Sequence, residues 1–176
     1  TERNLPDLED SGDRSRQLYS ATYLCDIAGY PYATTHDLDE ALRSRVIVLS
    51  SLLRTQSFTV EEIHRLAAWV ENGGHLVATM SEAISGEPAA ALSDLFGIDT
   101  SKAASGRENG ETVVWNPDHL ADPELVYFDE VEEQTTSVGA IITYGIEADG
   151  CDILANFGMR ALPAVTRNVK GDGGAY

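Results

Sequence analysis

The sequence predicts an α/β fold in which a parallel strand–helix–strand half precedes a strand-rich half. Two apolar runs, at 46–49 and 75–80, have the composition of strands that are covered on both faces. An amphipathic segment with a helix-start and a helix-stop signal lies between these runs. Beyond residue 110 the pattern changes to short runs that are typical of β-strands.

The segment between the two apolar runs is predicted to be a helix that begins after Thr59. Glu62 stands three residues further on and completes a capping box, in which the two residues satisfy each other's backbone N–H groups. The apolar residues recur at i, i+3, i+4 and i+7, which places them on one face of a helix. These residues are Ile63, Leu66, Ala67 and Val70.

The same helix is predicted to carry an ion pair and to end at a glycine turn. Glu61 and Arg65 are four residues apart on the polar side, which is the spacing of a helical ion pair. The helix ends at Asn72-Gly73-Gly74, because glycine tolerates the left-handed conformation that follows many helices. Two parallel strands joined by a helix imply a right-handed crossover.

The remaining elements are predicted from local signals, in chain order. Helices are expected at about 15–28 (closed by Gly29), as one turn at 37–42, and from Pro88 to Gly97. Further strands are expected at 32–35, 112–115, 125–128, 135–144, 151–157, 162–168 and from 175 onward. Loops or turns are expected at 1–13, 81–86, 101–110 and 169–174.

The length of 176 residues fits one domain, 1–176, with a substantial core. The chain begins at Thr1 and ends at Tyr176, and both ends are expected to continue into a longer protein. The sequence shows no basic segment followed by an apolar segment, so no signal peptide is predicted. No apolar run approaches the ~20 residues that span a bilayer.

The net charge is −17, from 29 acidic and 12 basic residues. An acidic surface of this kind repels nucleic acid and anionic membranes, because phosphate groups are bound by clustered Lys and Arg. The charge is interpreted as a solvated, solubilising surface. No calcium-loop pattern accompanies it.

Cys25 and Cys151 are predicted to be buried free thiols, because both lie in apolar contexts. Two distant cysteines form neither a disulfide framework nor a metal-ligand pattern. Free thiols favour a reducing compartment, so the predicted location is cytoplasmic.

The predicted sheet leaves few candidates for catalysis. Ligands of a parallel sheet bind at the carboxyl ends of its strands, so the loops at Ser50 and Ser81-Glu82 are the places to search. Neither loop contains a phosphate-binding glycine motif, and Ser81 lacks the flanking glycines of a nucleophile elbow. We therefore predict no catalytic, cofactor-binding or metal-binding residue in this chain, and no cofactor.

The other side chains that could take part in metal binding or catalysis have simpler interpretations. The four histidines do not pair at metal-ligand spacing, and the adjacent acidic pairs are expected by chance in so acidic a chain. Trp69 lies one position from the apolar stripe and is interpreted as a core or interface residue. The histidines are His36, His64, His75 and His119.

Two phrases, in this order along the chain, resemble one family. The first, from Ala68 to Thr79, is AWVENGGHLVAT, and the second, from Leu162 to Tyr176, is LPAVTRNVKGDGGAY. Both are similar to stretches of the trimerisation domain of TIM-barrel β-galactosidases, and the similarity extends from about Leu18 to the end of the chain. Asp172 stands where that family has Tyr or Lys.

The resemblance implies a three-layer, flavodoxin-like fold of the class I glutamine amidotransferase type. It also implies a homo-oligomer, with a trimer expected, and a catalytic TIM barrel elsewhere in the same protein. The catalytic glutamates of that family lie on the barrel, so none is carried over to this chain. The family's first strand is not evident in Asn4–Leu8.

Two other functions remain open at this stage. One is an amidotransferase-like or sugar-utilisation enzyme, which would use Cys25 or Ser81 together with a histidine. The other is a sugar-binding module formed by Trp115 and the loop at 101–110.

Overall fold

The structure is a computed structural model, and it describes residues 22–23, 25–49, 58–78, 88–102, 104–107, 111–116, 135–138, 141–158 and 162–176. The helices are α1 (Leu38–Ala41), α2 (Val60–Glu71) and α3 (Pro88–Phe96), and residues 22–23 and 25–28 are also helical. The strands are β1 (Val46–Leu49), β2 (His75–Ala78), β3 (Ile98–Asp99), β4 (Ala104–Arg107), β5 (Glu111–Trp115), β6 (Thr135–Val138), β7 (Ile141–Tyr144), β8 (Glu147–Ala148), β9 (Asp152–Phe157), β10 (Pro163–Lys170) and β11 (Gly173–Ala175). The predicted strand at 125–128 and the predicted loops at 1–13 and 81–86 lie outside the described residues.

The main sheet is mixed, which confirms the α/β class. Its strand order is β1-β2-β11-β10-β9-β5-β6. β2 pairs in parallel with both β1 and β11, whereas the remaining neighbours are antiparallel. Two separate ribbons, β3-β8 and β4-β7, complete the described strands. The parallel half and the strand-rich half of the sequence thus meet in one sheet where β11 pairs with β2.

Helix α2 forms between β1 and β2, as predicted. The Thr59 N–H donates to Glu62 Oε2 at 2.8 Å, and the Glu62 N–H donates to Thr59 Oγ1 at 3.2 Å. The predicted ion pair between Glu61 and Arg65 is wrong, because Arg65 instead pairs with Asp39 of α1. The short helix α1 brings an acid to the solvent side of α2, and this tertiary partner replaces the local one.

The core lies between one face of the sheet and the helices α2 and α3. The buried residues of the two helices contact each other and the sheet. On the helices they are Ile63, Leu66, Val70, Leu92, Leu95 and Phe96, and on the sheet they are Ile47, Leu76 and Ala175. Burying each large side chain contributes about 1.5–3 kcal/mol, so this face carries most of the described hydrophobic stabilisation.

The prediction that β1 is covered on both faces is wrong for the described part of the chain. Ile47 is buried, but Val46 and Val48 are 52% and 47% exposed. The reason is that α2 and α3 pack on the same side of the sheet, where Ile47 points. Among the described residues, no helix packs on the side where Val46 and Val48 point.

Three further predictions need correction. Residues 32–35 are irregular and exposed rather than a strand. Residues 104–107, expected in a loop, form β4, because their backbone pairs with β7 whatever their side-chain pattern. The single strand predicted at 135–144 is two strands in different sheets, since β6 pairs with β5 and β7 pairs with β4.

None of the helices in the described ranges is both long enough and apolar enough to cross a membrane.

Candidate functional site

The two loops in which a ligand site would be expected lie outside the described residues. They are 50–57, after β1, and 79–87, after β2, and they include Ser50, Ser81 and Glu82. The absence of catalytic residues there stays a prediction. The ranges that are described contain no group of three or more His, Cys, Asp or Glu side chains arranged to hold a metal ion.

The described histidines lie apart from one another in the fold. His36 and His64 are exposed. His75 opens β2 and lies beside Tyr176, with ring centroids 6.1 Å apart and 3.5 Å between the Tyr176 Oη and His75 Nδ1 atoms. Both side chains lie on the same face of the sheet as Val46.

The two cysteines are free and half-buried, rather than buried as predicted. Burial raises the pKa of the Cys151 thiol, although hydrogen bonds from the Asp149 backbone and the Thr166 side chain oppose this shift. A raised pKa keeps the sulfur protonated at neutral pH, and the thiolate is the reactive form. Cys151 therefore has the properties of a packing residue rather than of a nucleophile.

We expect Cys151 to react with iodoacetamide only at a higher pH than an ordinary thiol does. The measurement is the labelling rate against pH in a Cys25→Ser variant, folded and in urea. Unfolding exposes the thiol to water, so the pH midpoint of the labelling rate in urea should lie lower than that in the folded protein. A folded midpoint at or below the urea midpoint would contradict this assignment.

The two phrases that resemble the β-galactosidase domain meet in space at the end of α2. The helix ends in a Schellman motif, with the Gly74 N–H donating to the Trp69 carbonyl at 3.0 Å and the Gly73 N–H to the Val70 carbonyl at 2.9 Å. Gly73 has φ of +98°, as this motif requires. The second phrase supplies the turn at 171–172 and β11, which lie directly against this end.

We call the contact between the two turns the glycine-turn junction; it consists of Glu71, Gly74, Gly171, Asp172 and Gly174. The Asp172 N–H donates to the Glu71 carbonyl, and the Gly174 N–H to the Gly74 carbonyl, each at 3.1 Å. Gly171 has φ of +57°, and a Cβ there would overlap the Glu71 carbonyl oxygen. The backbones approach too closely for any side chain at this position.

Two neighbouring positions show the same close approach. A Cβ on Gly173 would overlap the carbonyl oxygens of Val70 and Gly74, and a Cβ on Gly74 would overlap the Trp69 ring. The Trp69 Nε1–H donates to the Ser44 carbonyl at 3.2 Å, and its ring packs against the core. Trp69 is half-buried and packs against the core, which agrees with its interpretation as a core or interface residue.

The second phrase also reaches the end of α3 through Asn168, the one buried polar side chain among the described residues. Its Nδ2 donates to the carbonyls of Leu95 at 2.9 Å and Asp94 at 3.2 Å. These carbonyls belong to the last turn of α3, where backbone acceptors lack helical partners. Gly97 follows with φ of +65°, and a Cβ there would come within 2.9 Å of Asn168 Cγ.

Sequence reasoning missed the roles of Asn168 and Gly171. An Asn inside the otherwise strand-like run 162–168 is a signal of a buried hydrogen-bonded side chain, since strands are poor in Asn. Both phrases therefore have a structural explanation, because their polar and glycine positions fasten β10 and β11 to the ends of α2 and α3.

Neither a family model nor a curated protein sequence matches this chain. Solved structures do share its fold. It is similar to part of Gan42B, a GH42 beta-galactosidase from G. stearothermophilus, with a TM-score of 0.53 and 19% identity over 80% of this chain and 19% of that one. It is also similar to the exo-beta-1,4-mannosidase Op5Man5 from Opitutaceae bacterium strain TAV5, with a TM-score of 0.59 and 18% identity over 99% of this chain and 28% of that one.

A third similar structure is the beta-galactosidase of the Antarctic haloarchaeon Halorubrum lacusprofundi, with a TM-score of 0.54 and 17% identity over 74% of this chain and 18% of that one. At these identities the likeness concerns the fold alone. This chain spans less than a third of the length of each of these proteins. The fold thus defines a class, namely an α/β domain that occurs as a part of larger glycoside hydrolases.

Proposed function

We propose that this chain is a non-catalytic accessory domain of a β-galactosidase-like glycoside hydrolase. In this proposal it is a trimerisation-type domain with a flavodoxin-like, class I glutamine amidotransferase-type fold. It packs against a catalytic TIM barrel of the same protein, holds three copies together, and works in the cytoplasm. It contributes no catalytic residue and no cofactor.

One observation carries this proposal. The two phrases that resemble the trimerisation domain contact each other at the glycine-turn junction, where glycine is required by close backbone approach. Glycines that are required by close backbone approach account for a fold in common with that domain, and they give no sign of a reaction in common with it. The similar solved structures support the same interpretation, because each is a glycoside hydrolase of which this fold forms a minor part.

The test uses the full-length natural protein and an aryl β-galactoside. We expect hydrolysis by the intact protein, with kcat unchanged in the variants Cys25→Ala, Ser50→Ala and Ser81→Ala. Sedimentation equilibrium should give three times the mass of one chain. Absence of hydrolysis would overturn the assignment to a glycoside hydrolase, and loss of activity in the Cys25 or Ser81 variant would favour a site in this domain.

A further inference from the structure

Two acids lie at the end of helix α2. Glu71 is the last residue of the helix, and the Asp172 N–H donates to its carbonyl at 3.1 Å. A Cβ on Gly73 would lie 3.8 Å from the Asp172 Cβ, so the Asp172 side chain begins close to the turn that ends the helix. Both acids are exposed. The glycine-turn junction therefore holds two carboxylates beside the last turn of one helix.

This end of the helix disfavours negative charge. The last carbonyls of a helix lack helical partners, and the aligned peptide dipoles place a partial negative charge there. Basic side chains often offset this charge, but the last turn of α2 contains no basic residue. At low ionic strength, each acid at such an end lowers the equilibrium constant for the folded arrangement by a factor of about two to five.

The described cations do not neutralise these two acids. Neither carboxylate takes part in the ion pairs found between described residues. Lys170 is the lysine nearest to Asp172 in the sequence, but its Nζ atom lies 2.7 Å from Asp94 Oδ2 and is paired there. The chain as a whole has a net charge of −17 and offers little compensation. The repulsion at the junction is therefore left to the ions of the solvent to screen.

The contact at the junction depends on backbone hydrogen bonds. Beside the bond from Asp172, the Gly174 N–H donates to the Gly74 carbonyl at 3.1 Å, and β11 then pairs with β2. Gly171 and Asp172 are exposed and bring no apolar side chain to the contact. Segments with few buried apolar contacts open locally at a small cost in free energy. A modest electrostatic repulsion is thus enough to change how often this turn opens.

We propose that ionic strength controls the closure of the glycine-turn junction. At low ionic strength, repulsion between Glu71, Asp172 and the helix end loosens the turn at 171–172 and the start of β11. Salt screens this repulsion, because the Debye length falls from about 30 Å at 0.01 M to about 3 Å at 1 M. The junction is thus a salt-dependent contact between α2 and the strand that joins β2 to β10. This property goes beyond the proposed function and does not depend on it.

The test is amide hydrogen exchange, followed by mass spectrometry of peptides from the full-length natural protein. The reporters are the N–H groups of Asp172 and Gly174, which exchange slowly while the junction is closed. We expect their peptide to exchange about tenfold more slowly at about 1 M than at about 0.01 M NaCl, because two charges act together. Screening alone has the opposite effect on the exchange chemistry, since it lets more hydroxide reach amides beside acids.

Substitutions that preserve side-chain shape test the cause. Asp172→Asn and Glu71→Gln each remove one charge, and each should reduce the salt effect. The double variant should exchange slowly already at low salt. Glu61→Gln is the matched control for Glu71→Gln, because it makes the same change in the same helix and in the total charge. Glu61 lies in the first turn, where an acid is favourable, so this variant should retain the full salt effect at the junction.

Three results would overturn the proposal. One is exchange of the junction peptide that does not slow with salt in the wild type. A second is an equal salt effect in the double variant, since total charge would then be the cause. The third is equal slowing in peptides from all parts of the domain, because salt would then act on global stability. The wild-type salt series decides the first and third results even where a variant does not fold.

Discussion

Replacing Gly171 by Ala should lower the free energy of unfolding by about 3 kcal/mol or more. Two costs add here. A residue with a side chain at φ of +57° costs about 1–2 kcal/mol. The new Cβ would also overlap the Glu71 carbonyl oxygen, and overpacking costs about 1–3 kcal/mol. Because the opposing atom is backbone, α2 and the turn at 171–172 must move apart for the side chain to fit.

The matched control is Gly150→Ala. Gly150 also has a left-handed φ, +88°, but a Cβ there would meet nothing within 4 Å. Its substitution should therefore show the conformational cost alone, about 1–2 kcal/mol. Urea unfolding followed by circular dichroism gives both values. Equal losses in the two variants would mean that the glycine-turn junction does not contribute through close approach.

Replacing Asn168 by Asp should be still more damaging at pH 7. The amide donates to two carbonyls at the end of α3, whereas a carboxylate has no hydrogen to donate and repels both oxygens. The carboxyl end of a helix is also the negative end of its dipole. Leaving an uncompensated charge in a buried position costs about 3–5 kcal/mol.

The pH dependence of the free energy of unfolding distinguishes the effect of the buried charge from that of a poor steric fit. Burial and the two carbonyls disfavour the charged form, so the folded-state pKa of the introduced carboxyl lies above its unfolded value. The penalty is therefore smallest below the unfolded pKa and grows as pH rises towards the folded pKa. Asn168→Ala should cost about 2–3 kcal/mol, from two unsatisfied carbonyls, with no such pH dependence. Parallel pH profiles for the two variants would contradict this assignment.

The elements predicted correctly are those with signals confined to a few neighbouring residues. Thr59 and Glu62 form the capping box, Gly73 ends α2 and Gly97 follows α3, because such residues act within one helical turn. The partner of Arg65 was not predictable in this way, since Asp39 is distant in the sequence. β4 was missed for the same reason, because its strand structure depends on pairing with β7.

The features of the candidate site also divide into those that have a local sequence signal and those that depend on residues distant in the sequence. The phrase around Gly171 was identified as a resemblance, but its role depends on the approach of Glu71, which no local pattern shows. The exposure of Val46 and Val48 was mispredicted because the composition of β1 indicates a strand that is covered on both faces, whereas the described helices pack on one side only. The apolar composition of a strand suggests that it is buried. Only the packing of α2 and α3 shows which face of the sheet the helices cover.

The position of β11 between β2 and β10 has a consequence for folding during synthesis. Gly74 and Gly174, which it brings together, are 100 residues apart along the chain. At a ribosomal rate of about 5–20 residues per second, several seconds pass between synthesis of the two partners. During that time the inner edge of β2 has no neighbour, and apolar strands in this state are prone to aggregate. Chaperone binding to the nascent chain should therefore be strongest after β2 has emerged and should fall once β11 has joined the sheet.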